Sequence, residues 1–245
     1  MPAPGFQLAC NDCHVWTLSL EQPSDVLARL QQNLSEDEIR RAKRYRFARQ
    51  RQQFTLVRGA LRQLLGCYLD MASESCRFSL SESNKPALAE AKIDLRFNVA
   101  HAGGQAIIAI ARGIEIGVDI EARQPLDERQ ALADMILSPA EKERWQALYE
   151  EARTLAFYAL WTRKEAVTKA IGLGLLMDFN TLEVSFERDL PARLLGLPAQ
   201  YGRPQDWTLT ELDAPSGHTA ALAAPVLGLR VLQRIWHPQG VPHDI

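Results

Sequence analysis

Residues 114–121 read Ile-Glu-Ile-Gly-Val-Asp-Ile-Glu, an alternation that predicts a β-strand. Successive side chains of a strand point to opposite faces, so Gly117, Asp119 and Glu121 share one face. The Cα atoms of the two acidic residues are then about 6 to 7 Å apart. The pattern matches half of a site for a hard cation, with a glycine where a ligand could approach closely or where the two lobes could pack tightly. Taken alone, however, the strand favours the alternative of a charged, solvent-exposed face.

The composition is that of an ordinary globular protein. The 245 residues, 47% hydrophobic and 24% charged, suffice for one large domain or two smaller lobes. No apolar run is long enough to span a bilayer, and residues 1–5 lack the basic start and apolar run of a signal peptide. We therefore expect a cytoplasmic protein with no membrane partner. The formal net charge of −2 gives no general argument for a nucleic-acid partner.

Four cysteines are present, and we interpret them as free thiols. Residues 10–14, Cys-Asn-Asp-Cys-His, match the pattern of covalent haem attachment. We favour a structural role instead, because residues 14–20 continue as an alternating strand and no export signal accompanies them. Cys67 and Cys76 do not form the second close pair that a zinc site would need.

A basic segment follows the first strand. Nine basic residues and no acidic one lie between Arg40 and Arg62, and arginine and lysine side chains of this kind bind phosphate groups well. Arg49 and Arg58 are the better candidates, since they lie where the basic helix leads into a core helix at residues 54–65. We expect Arg40, Arg41 and Arg44 to be solvated.

The predicted elements follow the same coarse order in each half of the chain. Ser35 with Glu38, and Ser138 with Glu141, are capping boxes that predict helix starts, and the second helix should run from there to about Ile171. Strands are predicted at residues 14–20, 76–80, 95–99, 106–111, 114–121, 182–186, 207–212 and 218–223. We expect 106–111 and 114–121 to form a hairpin. This order predicts two similar α+β lobes that meet near residues 112–125, where a cleft could bind a ligand.

The second long helix carries Trp161, Glu165 and Lys169 at spacings of four, which places them along one face. An exposed Glu–Lys pair is the simple explanation, but the tryptophan indicates a partly buried face. If Glu165 meets Asp119 and Glu121, three carboxylates converge and require a cation. Mg²⁺ is the natural candidate, and it commonly binds together with substrate phosphates.

His101 lies before Gly103 and Gly104, which mark a tight connection at a strand end. It could donate a hydrogen bond to a phosphate or could simply be satisfied by the backbone of its loop.

Several segments together resemble the Sfp-type 4′-phosphopantetheinyl transferases, and the resemblance covers most of the chain. The order and spacing of the motifs match those of that family. The matching segments are Phe97-Asn98-Val99-Ala100-His101, residues 116–121, residues 161–169, Phe47-Ala48-Arg49 with Arg58 and Arg62, and Asn84-Lys85-Pro86.

The resemblance implies an enzyme that transfers the phosphopantetheine arm of coenzyme A to a serine of an acyl or peptidyl carrier protein. Adenosine 3′,5′-bisphosphate would be released. It also implies an α+β fold of two pseudo-symmetric lobes in one chain, acting as a monomer. We expect an N-terminal lobe at 1–115 with the coenzyme A phosphate contacts, a C-terminal lobe at 116–236 with the metal ligands, and a tail at 237–245.

The site residues implied by the resemblance fall into three groups. Asp119, Glu121 and Glu165 would hold Mg²⁺. Glu165 would also be the base for the carrier serine, directly or through a water, and Lys169 would lie near the pyrophosphate. The coenzyme A contacts would be Arg49, Lys85 and His101, with Arg58 added from its position in the basic segment.

The chain departs from the family pattern at two positions. Ala100 replaces a common serine, and Asn84 replaces a glycine, which asparagine can mimic because it tolerates positive φ. An inactive coenzyme A or nucleotide sensor is the alternative function. Nucleic-acid binding through the basic helix is disfavoured by the net charge and by the paucity of aromatic residues among those arginines.

Overall fold

The computed structural model describes residues 6–80, 85–89, 93–125, 129–188 and 190–238. Within these ranges the helices are α1 (Ser24–Gln32), α2 (Glu36–Arg44), α3 (Ala48–Leu69), α4 (Arg129–Ile136), α5 (Pro139–Gln146) and α6 (Glu150–Ile171). The strands are β1 (Asp12–Ser19), β2 (Phe78–Leu80), β3 (Pro86–Leu88), β4 (Leu95–Ala102), β5 (Gln105–Arg112), β6 (Gly117–Ala122), β7 (Glu183–Val184), β8 (Leu194–Gly196), β9 (Thr208–Leu212), β10 (His218–Ala224) and β11 (Arg230–Ile235). Asn84 and residues 239–245 of the expected tail lie outside the described residues. No helix in the described ranges has both the length and the apolar character needed to cross a membrane.

Two sheets organise the chain, and the predicted α+β fold class is confirmed. One has the strand order β11-β1-β5-β4 and the other β6-β10-β9. Helix α3 packs on the first sheet and α6 on the second, and each helix has 22 residues. The remaining faces of the two sheets contribute to a third apolar cluster. The repeated order of strand, long helix and strands is therefore a repeat in space.

The predicted hairpin between residues 106–111 and 114–121 is wrong. Both edges of β5 are already occupied, since it pairs with β1 and with β4. Strand β6 pairs with β10 instead. Gly103 and Gly104, with φ of 54° and 83°, form the tight turn between β4 and β5, as their sequence indicates.

Two further boundaries differ from those expected. The predicted single helix from Ser138 to Ile171 is two helices, because Tyr149 has an extended backbone (ψ 152°) and starts α6 anew. Strand β11, which the expected boundary assigns to the C-terminal lobe, pairs in parallel with β1 in the first sheet. The end of the chain therefore returns to the N-terminal lobe.

Each lobe uses its capping-box glutamate twice. Ser35 and Ser138 both form complete capping boxes, which confirms both predicted helix starts. The Glu38 carboxylate also accepts from Arg62 Nε of α3 at 2.7 Å. Glu141 in turn pairs with Lys164 of α6, whose ammonium is fully buried and also donates to three backbone carbonyls. The two cations lie equally far from the starts of their helices, so the pairs are equivalent in the two lobes.

The Glu141–Lys164 pair gives a stability prediction. Lys164→Met should lower the free energy of unfolding by about 3 to 5 kcal/mol, because it leaves a fully buried carboxylate without its countercharge. Lys142→Met is the matched control. Its ion pair with Asp134 is roughly half exposed, so the expected change is at most about 1 kcal/mol. Urea unfolding of both variants measures the difference, and equal losses would contradict the assignment.

His14 belongs to a buried network in β1, not to a haem site. Trp16 Nε1 donates to the Tyr68 hydroxyl at 3.0 Å, and that hydroxyl lies 2.6 Å from His14 Nδ1. The hydroxyl therefore links the indole and the imidazole through two hydrogen bonds. Burial, assisted by Arg234, lowers the pKa of His14 to about 4. All four cysteines are free, as predicted.

The neutral imidazole predicts acid sensitivity. Below the ordinary His pKa of 6.5 the unfolded chain binds a proton that the folded protein refuses until about pH 4. The free energy of unfolding should therefore decrease as the pH is lowered from about 6.5 to about 4, by up to about 1.4 kcal/mol per pH unit. Urea unfolding at pH 7 to 4 should show a shallower loss for His14→Gln than for the exposed His237→Gln. The same slope in both variants would refute this role.

Candidate active site

Helix α6 lies directly on β6 at Gly117. A Cβ atom at this residue would lie 2.0 Å from the Ala166 carbonyl oxygen and 2.4 Å from the Ala170 nitrogen, distances that no real side chain tolerates. On the neighbouring strand β10, Ala223 pairs with Gly117 and Ala221 with Asp119. The side chains of β10 that lie under α6 are therefore small as well. The glycine therefore serves helix packing within one lobe. The expectations of a ligand at Gly117, or of packing between lobes, are wrong.

This close packing brings the acidic face of β6 against α6. Lys169 Nζ lies 2.6 Å from Asp119 Oδ1 and 3.7 Å from Glu165 Oε2. The Asp119 and Glu165 side chains are only 6% and 8% exposed. Neither a solvent-exposed strand face nor an exposed Glu–Lys pair describes these residues. Asp119 and Glu165 thus lie on either side of the Lys169 ammonium, and the convergence of all three carboxylates on one cation stays a prediction.

The electrostatics of the cluster follow from its burial. Burial raises the pKa of Asp119 to about 7, opposed by Lys169 and reinforced by the charges of Glu121 and Glu165. Burial also raises the pKa of Glu121 and of Glu165. The three carboxylates thus lie within one another's field and favour a positive partner.

Trp161, on the same face of α6 as Glu165, acts on Glu121. Its indole N–H, the only hydrogen-bond donor of its side chain, lowers the pKa of that carboxylate against the larger, opposite effect of burial. The ring is fixed by Phe157, 6.0 Å away between centroids, and by an edge contact with Phe179 at 5.5 Å. The sequence indicated that Trp161 was partly buried, but not that it contacts an acidic residue.

The donor set suits a hard divalent cation. All three side chains offer carboxylate oxygens, the ligands that Mg²⁺ prefers. Asp119 Oδ2 is buried and has no hydrogen-bond partner among the described residues, which leaves it an acceptor without a donor there. In the described part of the chain, no three His, Cys, Asp or Glu side chains are gathered in a metal-holding arrangement. In the positions seen, the ammonium of Lys169 lies among the carboxylates.

A cavity of about 230 Å³ lies between α3 and β4 in the other lobe. Three predicted site residues, Arg58, Lys85 and His101, line it. The other lining residues are Arg41, Tyr45, Phe54, Val57, Leu61, Pro86, Phe97, Asn98 and Val99. It is a basic pocket with aromatic and apolar walls. We call it the basic pocket.

The predicted basic residues differ in their surroundings. Arg58 lies 3.4 Å from Glu38 and over the Phe78 ring, and its buried Nη1 has no hydrogen-bond partner within the part of the chain that the structure describes. Lys85 donates to the Glu115 carboxylate and to the Ile116 carbonyl. Arg49 is exposed on the first turn of α3, outside the basic pocket.

The basic pocket adjoins the acidic cluster. Burial lowers the pKa of His101 on β4, and the positive charge of Lys169 on α6 lowers it further. Asn98, also on β4, accepts a hydrogen bond from the Val118 N–H at 2.9 Å and ties the first sheet to β6. Sequence reasoning missed this role of Asn98, although the residue stands inside the quoted motif.

This chain is similar in sequence to known proteins. The model of the 4′-phosphopantetheinyl transferase superfamily matches residues 115–223. The 4′-phosphopantetheinyl transferase HetI of Nostoc sp. is 33% identical over 236 residues, 96% of this chain and 95% of its own. A relative from Synechocystis sp. is 35% identical over 68% of this chain and 67% of its own. The 4′-phosphopantetheinyl transferase Sfp of Bacillus subtilis is 29% identical over 53% of this chain and 56% of its own.

This chain belongs to the 4′-phosphopantetheinyl transferase superfamily. The similarity to HetI spans both lobes. The matched family region contains β6 and α6, and with them the three carboxylates Asp119, Glu121 and Glu165 and the lysine Lys169. The predicted enzyme class is confirmed.

The contact at Gly117 can be tested in this phosphopantetheinyl transferase. Gly117→Ala should destabilise the protein by about 3 kcal/mol through overpacking. It should also reduce transfer about 100-fold, because even a 1 Å displacement of Glu165 and Lys169 misplaces reacting groups. Steady-state transfer and urea unfolding measure the two effects.

Val118→Ala is the control, since Val118 is buried on the opposite face of β6 and does not lie under α6. It should cost about 2 kcal/mol of stability but leave most of the transfer rate. Equal loss of transfer in the two variants, at a temperature where both are folded, would contradict the packing argument.

Proposed function

We propose that this enzyme transfers the 4′-phosphopantetheine arm of coenzyme A to a serine of an apo acyl or peptidyl carrier protein, with release of adenosine 3′,5′-bisphosphate. One observation carries the proposal. Asp119 and Glu165, both buried, lie with Lys169 and the partly buried Glu121 on one lobe, and Asn98 of the adjoining basic pocket accepts a hydrogen bond from Val118, the neighbour of Asp119. A pyrophosphate that binds between them would find cationic groups on both sides.

The basic pocket is the proposed site for the nucleotide phosphates of coenzyme A. Arg58 has a buried, unpartnered Nη1, and Lys85 and His101 line the same cavity. Arginine and lysine groups at this site supply the charge-assisted hydrogen bonds that phosphates accept. Arg49 stays a prediction from the resemblance. Its position on α3 allows contact only with a part of the substrate that extends along that helix.

Asp119, Glu121 and Glu165 are the proposed ligands of Mg²⁺, and Trp161 orients Glu121 for that purpose. When bound there, the ion would neutralise charge on the pyrophosphate of coenzyme A. The chemistry needs such compensation, because the leaving bisphosphate gains negative charge as its bond to phosphorus breaks.

The proposed reaction is an in-line displacement. The carrier serine oxygen forms a bond to the β-phosphorus, and the bond from that phosphorus to the bridging oxygen breaks. The bridging oxygen leaves with the adenosine bisphosphate. Glu165 takes the serine proton, directly or through a water. Lys169 stabilises the developing charge, which its position beside Asp119 and near His101 allows.

Both halves of the site come from one chain, α3 and β4 on one side and β6 and α6 on the other, so we propose a monomer as the active unit. The relatives named above are transferases, and nothing in the site favours a sensor without catalytic activity.

Mass spectrometry of purified apo carriers after incubation with the enzyme, coenzyme A and Mg²⁺ tests the function. Each modified carrier should gain one phosphopantetheine. Carriers from fatty acid, polyketide and peptide synthesis should be compared in one panel, since their relative rates would identify the preferred pathway. No modification of any carrier would refute the proposal.

The carboxylates are tested by Asp119→Ala and Glu165→Ala. Each substitution should lower the transfer rate by at least about 100-fold, because each removes a proposed metal ligand. Glu165→Ala removes the proposed base as well. The folded structure should persist, as judged by circular dichroism. Asp206→Ala is the control, since that carboxylate lies in an exposed pair with Arg203 and should leave transfer unchanged. Normal turnover by either site variant would overturn the metal assignment.

A further inference from the structure

We propose that Lys169 is the resident countercation of the acidic cluster in the free enzyme, and that its ammonium and a divalent metal ion exclude one another at Asp119. The inference rests on the proposed function for the metal site and goes beyond it. It assigns Lys169 a role before any substrate is bound. It also makes metal binding depend on where the lysine side chain points.

The geometry shows the lysine in the place where a metal ion would have to bind. Its Nζ atom lies within hydrogen-bond distance of Asp119 Oδ1 and near Glu165 Oε2, at 2.6 and 3.7 Å. These are two of the three proposed ligands. The other Asp119 oxygen is buried and finds no hydrogen-bond partner in the described ranges of the chain. A single ammonium therefore satisfies the cluster only in part.

Burial explains why the cluster holds its own cation. A carboxylate that is 6% exposed is strongly destabilised as an anion unless a positive group is close. Two further carboxylates act on Asp119, so an uncompensated cluster would carry three mutually repelling charges. Lys169 relieves this repulsion while no metal is bound.

The same arrangement makes the lysine and the metal ion antagonists. A divalent ion on Asp119 and Glu165 would lie only a few Å from the ammonium, and two positive groups so close repel strongly in a buried site. The metal can bind well only if Lys169 moves. Its side chain is 25% exposed, compared with 6% for Asp119, so it has an open side into which it can turn.

The basic pocket provides the reason for that movement. Asn98 lines the cavity proposed for the coenzyme A phosphates and accepts a hydrogen bond from the N–H of Val118, the neighbour of Asp119. The cavity therefore adjoins the strand whose Asp119 pairs with Lys169. A phosphate bound there offers the lysine a new anionic partner and frees Asp119. Metal and phosphate should therefore bind cooperatively, with Lys169 as the coupling group.

Metal binding without coenzyme A tests the proposal. Calorimetric titration with Mn²⁺ alone, on the wild type and on Lys169→Met, should show at least tenfold tighter binding by the variant. Addition of inorganic pyrophosphate should strengthen Mn²⁺ binding to the wild type several-fold more than to K169M. Lys142→Met is the control, because Lys142 pairs with Asp134 and not with the cluster, and its affinity should equal that of the wild type.

Thermal unfolding gives a second readout. Without metal, K169M should melt below the wild type, since the buried carboxylates lose their countercharge, and Mg²⁺ alone should raise its midpoint more than that of the wild type. If K169M does not fold without metal, purification in Mg²⁺ followed by chelation, or the polar variant Lys169→Gln, allows the same comparison.

The outcomes separate this proposal from the proposed function. Equal or weaker Mn²⁺ binding by K169M and K169Q overturns the countercation role, even where the wild type transfers normally in Mg²⁺ and the proposed function stands. A wild type that transfers at full rate in EDTA overturns the metal site itself, and the countercation role with it.

Discussion

The contact between Gly117 and the backbone of α6 is the constraint on which the site depends. Because no Cβ separates them, the helix sits on the strand at the distance that brings Glu165 and Lys169 to Asp119. The opposite face of the same strand, through Val118 and Ile120, packs into the apolar cluster shared by the two sheets. One six-residue strand therefore fixes both the acidic half of the site and its position against the other lobe. Alternation along the strand makes the two tasks compatible, since each uses its own face.

The two capping-box glutamates show how each lobe holds its long helix. Each satisfies the start of one helix and the buried cation of another, so a local signal of helix initiation also fixes tertiary packing. In both lobes this pair stands beside a functional group. Glu38 also pairs with Arg58, which lines the basic pocket. Lys164 directly precedes Glu165 in α6. The Glu141–Lys164 ion pair therefore also fixes the rotation of α6 about its axis, which turns Glu165 toward β6.

Local patterns allowed prediction of much of the fold and the acidic half of the site. Capping boxes, the face of β6 and the spacing of Trp161, Glu165 and Lys169 are short-range signals, and the structure confirms each of them. Pairing between distant segments leaves no such signal. One edge of β5 is filled by its neighbour β4 across a tight turn, but the other is filled by β1, far earlier in the chain, which the adjacent sequence could not indicate. In the same way, β11 joins β1 across more than two hundred residues. The role of Asn98 depends on the same kind of contact, because Val118 is its partner only once the sheets meet.

The charges of the two lobes are complementary to a substrate that carries phosphates. The acidic cluster keeps an excess of negative charge even with Lys169 in place, whereas the basic pocket holds Arg58 and Lys85 and gains no charge from His101, whose pKa is lowered. Neither half alone would hold a pyrophosphate in a defined position. The cluster repels it without a cation, and the basic pocket ends where β4 meets β6. In the proposed function the metal ion and the substrate therefore complete each other's site. Lys169 contacts the carboxylates of the cluster, and its charge also acts on His101 in the basic pocket. Its position therefore decides whether the negative charge of the cluster is neutralised by the lysine or by the bound metal and substrate.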